Sequence, residues 1–391
     1  MSRGLLKAAV LSISLLLLAA TAVSPALANI GAVFTEASPR TIMLLVALPS
    51  MTMVLASLLF GKLSEWATRR ELTNAAMVLF LIGGVTPYFM DDLTLILGMR
   101  AILGLSLGMI FPLSLVLIAD FFSANERVAV MGLQSVFVNA GGIIFPLAGG
   151  ILCVADWHNT FLAYLFGAVI FAFVYFYLPE PPKAAAAGES GQAARKVPLP
   201  GRVYFVEGIV FFYNLLIFAF FTNVAIQVVG EDMGNAASAG YALTLFTGGG
   251  VLAGLVFGRI MQIAGNFTIA AGWLVTAAGL AIISGVHDFN LLLLGCFIGG
   301  FGFSTTCPAL FVTLSLITPP ARVALSLPLA SAAGGIGQFA APFVFEAVNA
   351  LFGQHAGRFP LLVSAAVLAA GGLLLALQTL ARPPQAANIN N

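Results

Sequence analysis

The stretch from Leu97 to Ala129, LGMRAILGLSLGMIFPLSLVLIADFFSANERVA, returns in degraded form as LGCFIGGFGFSTTCPALFVTLSLITPPARVA about 195 residues later, and this duplication constrains the fold more than any other feature of the chain. Both copies open on Leu-Gly and continue as a glycine-studded apolar run through a proline, Pro112 or Pro308. Both end in a polar loop closed by Arg-Val-Ala, at Arg127 and Arg322. The next segment repeats too: Ala140-Gly141-Gly142-Ile143 returns as Ala333-Gly334-Gly335-Ile336. Two similar halves packed face to face enclose a cavity, which suits a site opened alternately to either side of a membrane.

A chain of 391 residues with 60% hydrophobic and 8% charged residues has too few charges to cover a soluble surface. Apolar runs of roughly 18 to 28 residues, separated by short polar or Gly/Pro-rich breaks, read as membrane-spanning helices. They fall at 5–30, 41–61, 73–90, 93–119, 128–153 and 159–178, then at 203–229, 237–257, 267–286, 289–317, 323–350 and 359–381. The expectation is an all-α polytopic membrane protein, with twelve transmembrane helices in two pseudo-symmetric six-helix bundles, 1–178 and 203–391, around a central cavity. Between them, 179–202 opens on Pro-Glu-Pro-Pro-Lys, continues through Ala, Gly, Ser and Gln, and reads as a coil linker.

Basic residues set the orientation. With the N-terminus inside, the inner segments hold Arg3, Lys7, Lys62, Arg69, Arg70, Arg127, Lys183, Arg195, Lys196, Arg202, Arg259, Arg322 and Arg382, and the outer ones only Arg40 and Arg358. Both termini are therefore expected in the cytoplasm, in a membrane of the bacterial plasma or inner membrane type, with Asp91, Asp92, Glu231 and Asp232 in outer loops. The first 29 residues have the basic start, apolar run and Pro25-Ala26-Leu27-Ala28 site of a secretory signal. Cleavage there would leave eleven spans and break the symmetry of the halves, so the segment is read as span one. Cys153, Cys296 and Cys307 lie in or beside apolar spans without metal-ligand spacing and are read as packing residues. Nucleotide, haem and metal signatures are absent from the sequence, so no cofactor is expected. The spans also lack the Ser/His, paired-Asp or His-rich constellation of an enzyme. A membrane-embedded sensor would be expected to add a soluble domain, and none is read in these residues.

The second loop reads Gly61-Lys62-Leu63-Ser64-Glu65-Trp66-Ala67-Thr68-Arg69-Arg70. It resembles the loop motif of the major facilitator superfamily, glycine-x-leucine-alanine-aspartate-arginine-x-glycine-arginine-arginine, with Trp66 in place of a basic residue and Thr68 in place of a glycine. A glycine lets helices approach, an acid sits against a positive helix N-terminus, and an arginine pairs with an acid across the loop. The resemblance gives Gly61, Glu65, Arg69 and Arg70 the role of a conformational latch, with Asp120 as partner of Arg69. In the second half, Gly258 to Phe267 has Gln262 where the acid should be, which makes the latch one-sided. Span five carries Gly141-Gly142-Ile143-Ile144-Phe145-Pro146-Leu147-Ala148-Gly149-Gly150. It resembles the glycine-proline motif of the antiporter branches, and Gly141, Pro146, Gly149 and Gly150 read as helix-packing positions. Trp157-His158-Asn159-Thr160-Phe161 resembles a common ending of span five in the family, with His158 where arginine is usual. The resemblance covers nearly the whole chain, is closest to the twelve-span drug:proton antiporter branch, and does not specify a substrate.

Ionisable residues inside a span are costly and mark functional candidates. Arg100 opens Arg100-x-x-x-Gly104-x-x-x-Gly108, which resembles the fourth-span motif whose arginine is associated with proton coupling in drug exporters. Span one offers only Ser12, Ser14, Thr21, Ser24 and Asn29 as polar partners. Arg100 is either satisfied by backbone carbonyls and amides such as Asn139, or meets an acid across the cavity or on the substrate. Glu207 enters span seven near its inner end, with Phe211, Asn214, Phe218 and Phe221 on its helical face. It is either a cavity acid that pairs with lipophilic cations among aromatic rings or an interfacial residue near Arg202. Glu346 in span eleven is a further coupling candidate, and an outer pair with Arg358 accounts for it equally. In span ten, Phe297, Phe301, Ser304, Thr305 and Pro308 lie near one face.

These readings converge on a secondary transporter, a proton-coupled exporter of small lipophilic or cationic compounds. Glu207, Glu346 and Arg100 are its proton-coupling candidates, and Arg100, Asn139, Phe211, Asn214, Phe218, Phe301 and Ser304 its substrate-contacting candidates. The alternative is uptake or exchange of a small organic anion anchored by Arg100. The expected partners are a small-molecule substrate, protons and the lipid bilayer, with no nucleic acid, and the expected state is a monomer.

Overall fold

The computed structural model describes residues 3–179, 199–319 and 322–381, and among them there is no strand. Twelve helices run α1 (Arg3–Val33), α2 (Pro39–Trp66), α3 (Arg69–Val85, prolonged by a 3₁₀ turn Thr86–Phe89), α4 (Leu93–Phe121), α5 (Ala124–Cys153) and α6 (Trp157–Tyr177). They continue as α7 (Gly201–Gly230), α8 (Ala236–Ala264), α9 (Thr268–Gly285), α10 (Phe289–Ile317), α11 (Val323–Phe352) and α12 (Arg358–Ala381). The linker read at 179–202 falls mostly on 180–198, outside the described residues, as do Lys183, Arg195, Lys196 and Arg382.

Helix α8 runs into α9 as one apolar helical stretch of 50 residues, Ala236–Gly285. At 1.5 Å per residue that is about 75 Å, far beyond a hydrocarbon core of roughly 30 Å. The chain breaks at Gly265, whose φ of 50° is a left-handed conformation that glycine adopts without a Cβ penalty. From there α9 folds back onto α10 and α12.

The ends of the helices define two faces. The linker face carries the start of α1, the α2–α3, α4–α5, α8–α9 and α10–α11 turns, the start of α7 and the end of α12. At the opposite face, helix starts are capped by side chains: Ser38 accepts from the Thr41 amide at 3.3 Å, Asp92 from Thr94 and Leu95 at 2.7 and 3.0 Å, and Asp288 from Leu291 at 3.0 Å. Such caps satisfy amides that a helix cannot pair internally. Asp92, read from the sequence only as an outer-loop acid, is thus the N-cap of α4.

Within the first bundle α1 packs on α5, α2 on α4, and α3 on α4 and α6. The second bundle repeats the pattern: α7 packs on α11, α8 on α10, and α9 on α10 and α12. Between the bundles run two long seams, α5 with α8 and α2 with α11, which are again pseudo-symmetric counterparts. The repeated glycine doublet explains how. Gly141 lies against the Leu15 carbonyl of α1, while Gly142 faces Leu18 of α1 and Thr247 of α8. Gly334 lies against Val210 and Asn214 of α7, and Gly335 against Ser50 and Val54 of α2. The first glycine of each doublet packs inside its own bundle, and the second packs across a seam.

These contacts lie at mid-membrane or toward the opposite face, where α1 also meets α7 through the Ser24 hydroxyl and the Phe221 carbonyl. Toward the linker face the seam helices part. A Cβ added at Gly61 of α2 or at Gly254 or Gly258 of α8 would meet no other part of the molecule within 4 Å, and Leu55, Leu58, Leu59, Leu252 and Leu255 are exposed. The central cleft is therefore closed at the opposite face and open at the linker face.

Candidate functional site

Helix α7 brings Glu207, Phe211, Asn214, Phe218 and Phe221 to one face, as continuous 3.6-residue periodicity requires. Glu207 Oε1 is buried and has no hydrogen-bond partner among the described residues, and Arg202 does not pair with it. Two turns further on, Asn214 Nδ2 donates to its own Val210 carbonyl at 2.9 Å, and its Oδ1 accepts from Gln338 Nε2 of α11 at 3.1 Å. Gln338 Oε1 in turn accepts from Ser50 Oγ of α2 at 2.8 Å. A relay of neutral polar groups thus crosses from one bundle to the other at mid-membrane. Sequence reasoning found Asn214 and missed Gln338 and Ser50, although Gln338 lies only three residues beyond the repeated Gly334-Gly335. Phe211 is half-buried beside Phe212, whereas Phe218 is buried with Phe221 in the closed half of the cleft.

Ion pairs tie the two faces differently. At the linker face Arg69 Nε lies 3.5 Å from Asp120 Oδ2, and Arg70 donates to the Tyr175 carbonyl at 3.3 Å while stacking over the Tyr175 ring. These contacts stay within the first bundle. The Glu65 side chain, like that of Arg127, lies outside the described residues. Gly61, read as a point of helix approach, faces open space here. At the opposite face, Arg40 of α2 pairs with Glu346 of α11 at 2.7 Å and lies over the Phe343 ring, bridging the bundles. The pair considered for Glu346 was Arg358, but Arg358 instead donates to Glu231 at 2.9 Å and to the Ser284 and Val286 carbonyls at 2.8 and 2.9 Å. At the start of α6, His158 stacks on Trp157 and sits between Asp156 (2.7 Å) and Asp91 (3.1 Å). Hydrogen bonds from His158 hold the Asp156 carboxyl below the usual carboxylate range.

In the structure Arg100 takes the first of its two readings, satisfaction by backbone carbonyls. It is 0% exposed and has no face on the cleft. Its Nε donates to the Leu45 carbonyl of α2 at 2.9 Å, Nη1 to the Tyr164 hydroxyl of α6 at 2.8 Å, and Nη2 to the Ala20 carbonyl of α1 at 3.1 Å. It braces four helices of the first bundle, so in this conformation it cannot anchor a substrate anion. Asn139 is not its partner, since its Nδ2 donates to Ser135 within α5. In α10 the backbone at Phe297 and Phe301 packs on Gly249 of α8, and the Ser304 side chain packs on Gly250. Gly141 and Gly149 meet the Leu15 and Ala22 carbonyls of α1, Gly150 meets Ala236 and Gly240 of α8, and the Pro146 carbonyl faces Gly240. Among the described residues no cluster of three or more His, Cys, Asp or Glu could hold a metal ion.

The sequence profile of the Major Facilitator Superfamily matches residues 9–227 and again 208–391. The chain belongs to this superfamily. Among superfamily relatives, it is 22% identical over 341 residues to the quinolone resistance protein NorA of Staphylococcus aureus, covering 86% of each chain. It is 34% identical over 96 residues to a triacylglyceride transporter of Mycobacteroides abscessus, a match to 25% of this chain but only 18% of that relative. In fold it resembles a bacterial homologue of the human lysosomal transporter Spinster, solved in an inward-facing, unoccupied conformation, with a TM-score of 0.79 at 13% identity over 98% of this chain and 100% of that one. As a member of the Major Facilitator Superfamily, the protein is a multi-pass membrane transporter and not an enzyme.

Proposed function

We propose that this transporter is a proton-coupled exporter of small lipophilic or cationic compounds, working by alternating access between bundles 1–178 and 203–391. The observation that carries the reading is the buried, unpartnered Glu207 Oε1 on α7. A carboxylate in apolar surroundings is costly to leave ionised and unpaired. A proton or a bound cation removes that cost, and one carboxyl cannot hold both. Competition for Glu207 is therefore antiport in its simplest form, and neighbouring Phe211 adds a ring face suited to cations.

The positive-inside bias supports a cytoplasmic linker face, and on that reading the open cleft is inward-facing. The Arg40–Glu346 pair then ties the outer gate shut, with Glu346 as the second coupling candidate. Arg69 and Asp120, already paired within the first bundle here, belong to the inner latch, whose contacts with the second bundle would form in the outward-open state. Similarity to the quinolone resistance protein NorA supports an export direction.

The test uses purified full-length protein in liposomes with an imposed pH gradient and an internal pH dye. Lipophilic cations are expected to trigger proton flux, and Glu207→Gln to reduce it at least tenfold. Flux triggered by small carboxylates instead of cations would overturn the proposal.

A further inference from the structure

The relay at mid-membrane has capacity to spare. Each amide carries two N–H donors; Asn214 commits one to Val210 and Gln338 commits one to Asn214. Gln338 and Ser50 are only half-buried, so an incoming group can reach them. The approach of α11 to α7 is built in: Gly337 lies against the Phe211 carbonyl, and a Cβ on Gly334 would stand 3.1 Å from Asn214 Nδ2. Asn214 lies seven residues beyond Glu207 on the same helical face, two turns and about 10 Å along the axis. Phe211 lies between them.

We infer that Glu207 and the Asn214–Gln338 amide pair are the two ends of one site, selective for cations that carry a neutral hydroxyl or carbonyl group about 10 Å from the charge. The cation end rests on the proposed function; the polar end and the spacing are additional. The charged group takes Glu207, the intervening apolar chain lies along Phe211, and the neutral group bonds to the free amide valences. A plain lipophilic cation fills the same space but leaves the amide pair with nothing to bind. That lost bond is the source of the selectivity.

The experiment uses two series of probes on the full-length protein in liposomes: ω-hydroxyalkyl-trimethylammonium ions of increasing chain length, and alkyl-trimethylammonium ions of matching length. The readout is the concentration that gives half-maximal proton flux. At the chain length that spans the two ends, the hydroxylated ion is expected to act at about tenfold lower concentration than its plain counterpart, the worth of one good hydrogen bond. At much shorter lengths the two are expected to coincide. Gln338→Leu and, independently, Asn214→Leu are expected to reduce the ratio between the series several-fold. A constant ratio across all lengths, or one that both variants leave intact, would overturn the two-point site while leaving the exporter standing. Silence with both series in the wild-type protein would overturn the exporter reading itself.

Discussion

The two seams between the bundles are related by the internal repeat, yet they hold together by different chemistry. Along α5 and α8 the contact is close backbone packing: Gly150 and Gly240 bring backbone onto backbone, and at Gly142 the small Thr247 side chain donates to the carbonyl at 3.1 Å. Along α2 and α11 the repeated glycine survives as Gly335, but side chains carry the contact, through Ser50 to Gln338 and Arg40 to Glu346. Close backbone packing is insensitive to pH and ligand, and it suits a surface on which two rigid bodies rock. Directional bonds between side chains can be competed for. Duplication supplied one geometry twice, and divergence left a bearing on one side and a chemically addressable seam on the other.

The sharpest way to break this contrast is to overfill the bearing. Gly150→Val places branched carbons where the Ala236 carbonyl and the Gly240 Cα already crowd, and overpacking of about 1–3 kcal/mol is expected to disfavour the state closed at the opposite face. Loss of transport beyond tenfold, with raised labelling of cysteines introduced at that face, would be the signature. On the addressable seam, Glu346→Gln removes a pair whose side chains are 41% and 35% exposed, so the effect is bounded at about 1 kcal/mol, or roughly a fivefold shift toward opening of that face. Spin-label distances between α2 and α11 measure it, and a shift as large as that from Gly150→Val would erase the distinction between the seams. The smallest effect is expected from Gly61→Ala. Its surroundings are empty here, so thermal stability should hold within about 0.5 kcal/mol, while any defect in turnover would place Gly61 at a contact of the other conformation.

The architecture was legible in the sequence because span length, charge bias and the repeat each report on a single helix or a pair of corresponding ones. The α7 stripe from Glu207 to Phe221 was legible for the same reason, since it needs only a continuous helix. What crossed between helices was not. Arg100 is satisfied mainly by carbonyls of Leu45 and Ala20, and every residue type has a carbonyl, so no pattern announces them. The partner of Glu346 depends on the rotation of α2 against α11, which moves Arg40 into reach and leaves Arg358 to Glu231. Phe301 and Ser304 share a helical face as read, but periodicity does not say that the backbone at Phe301 and the side chain of Ser304 meet the glycines of α8.

Arg100 has a wider consequence. A guanidinium held by carbonyls and a phenol keeps its full positive charge, with no carboxylate among its partners to cancel it. At an effective dielectric constant of about 20, a unit charge 10 Å away is still worth about 1.7 kcal/mol. Arg100 lies seven residues in from the start of α4 at the opposite face, and Glu207 six residues in from the start of α7 at the linker face, each about 10 Å inside its own end. The two charges therefore stand at opposite depths: a cation entering from the linker face meets the carboxyl first and feels the guanidinium only as it moves toward the other side.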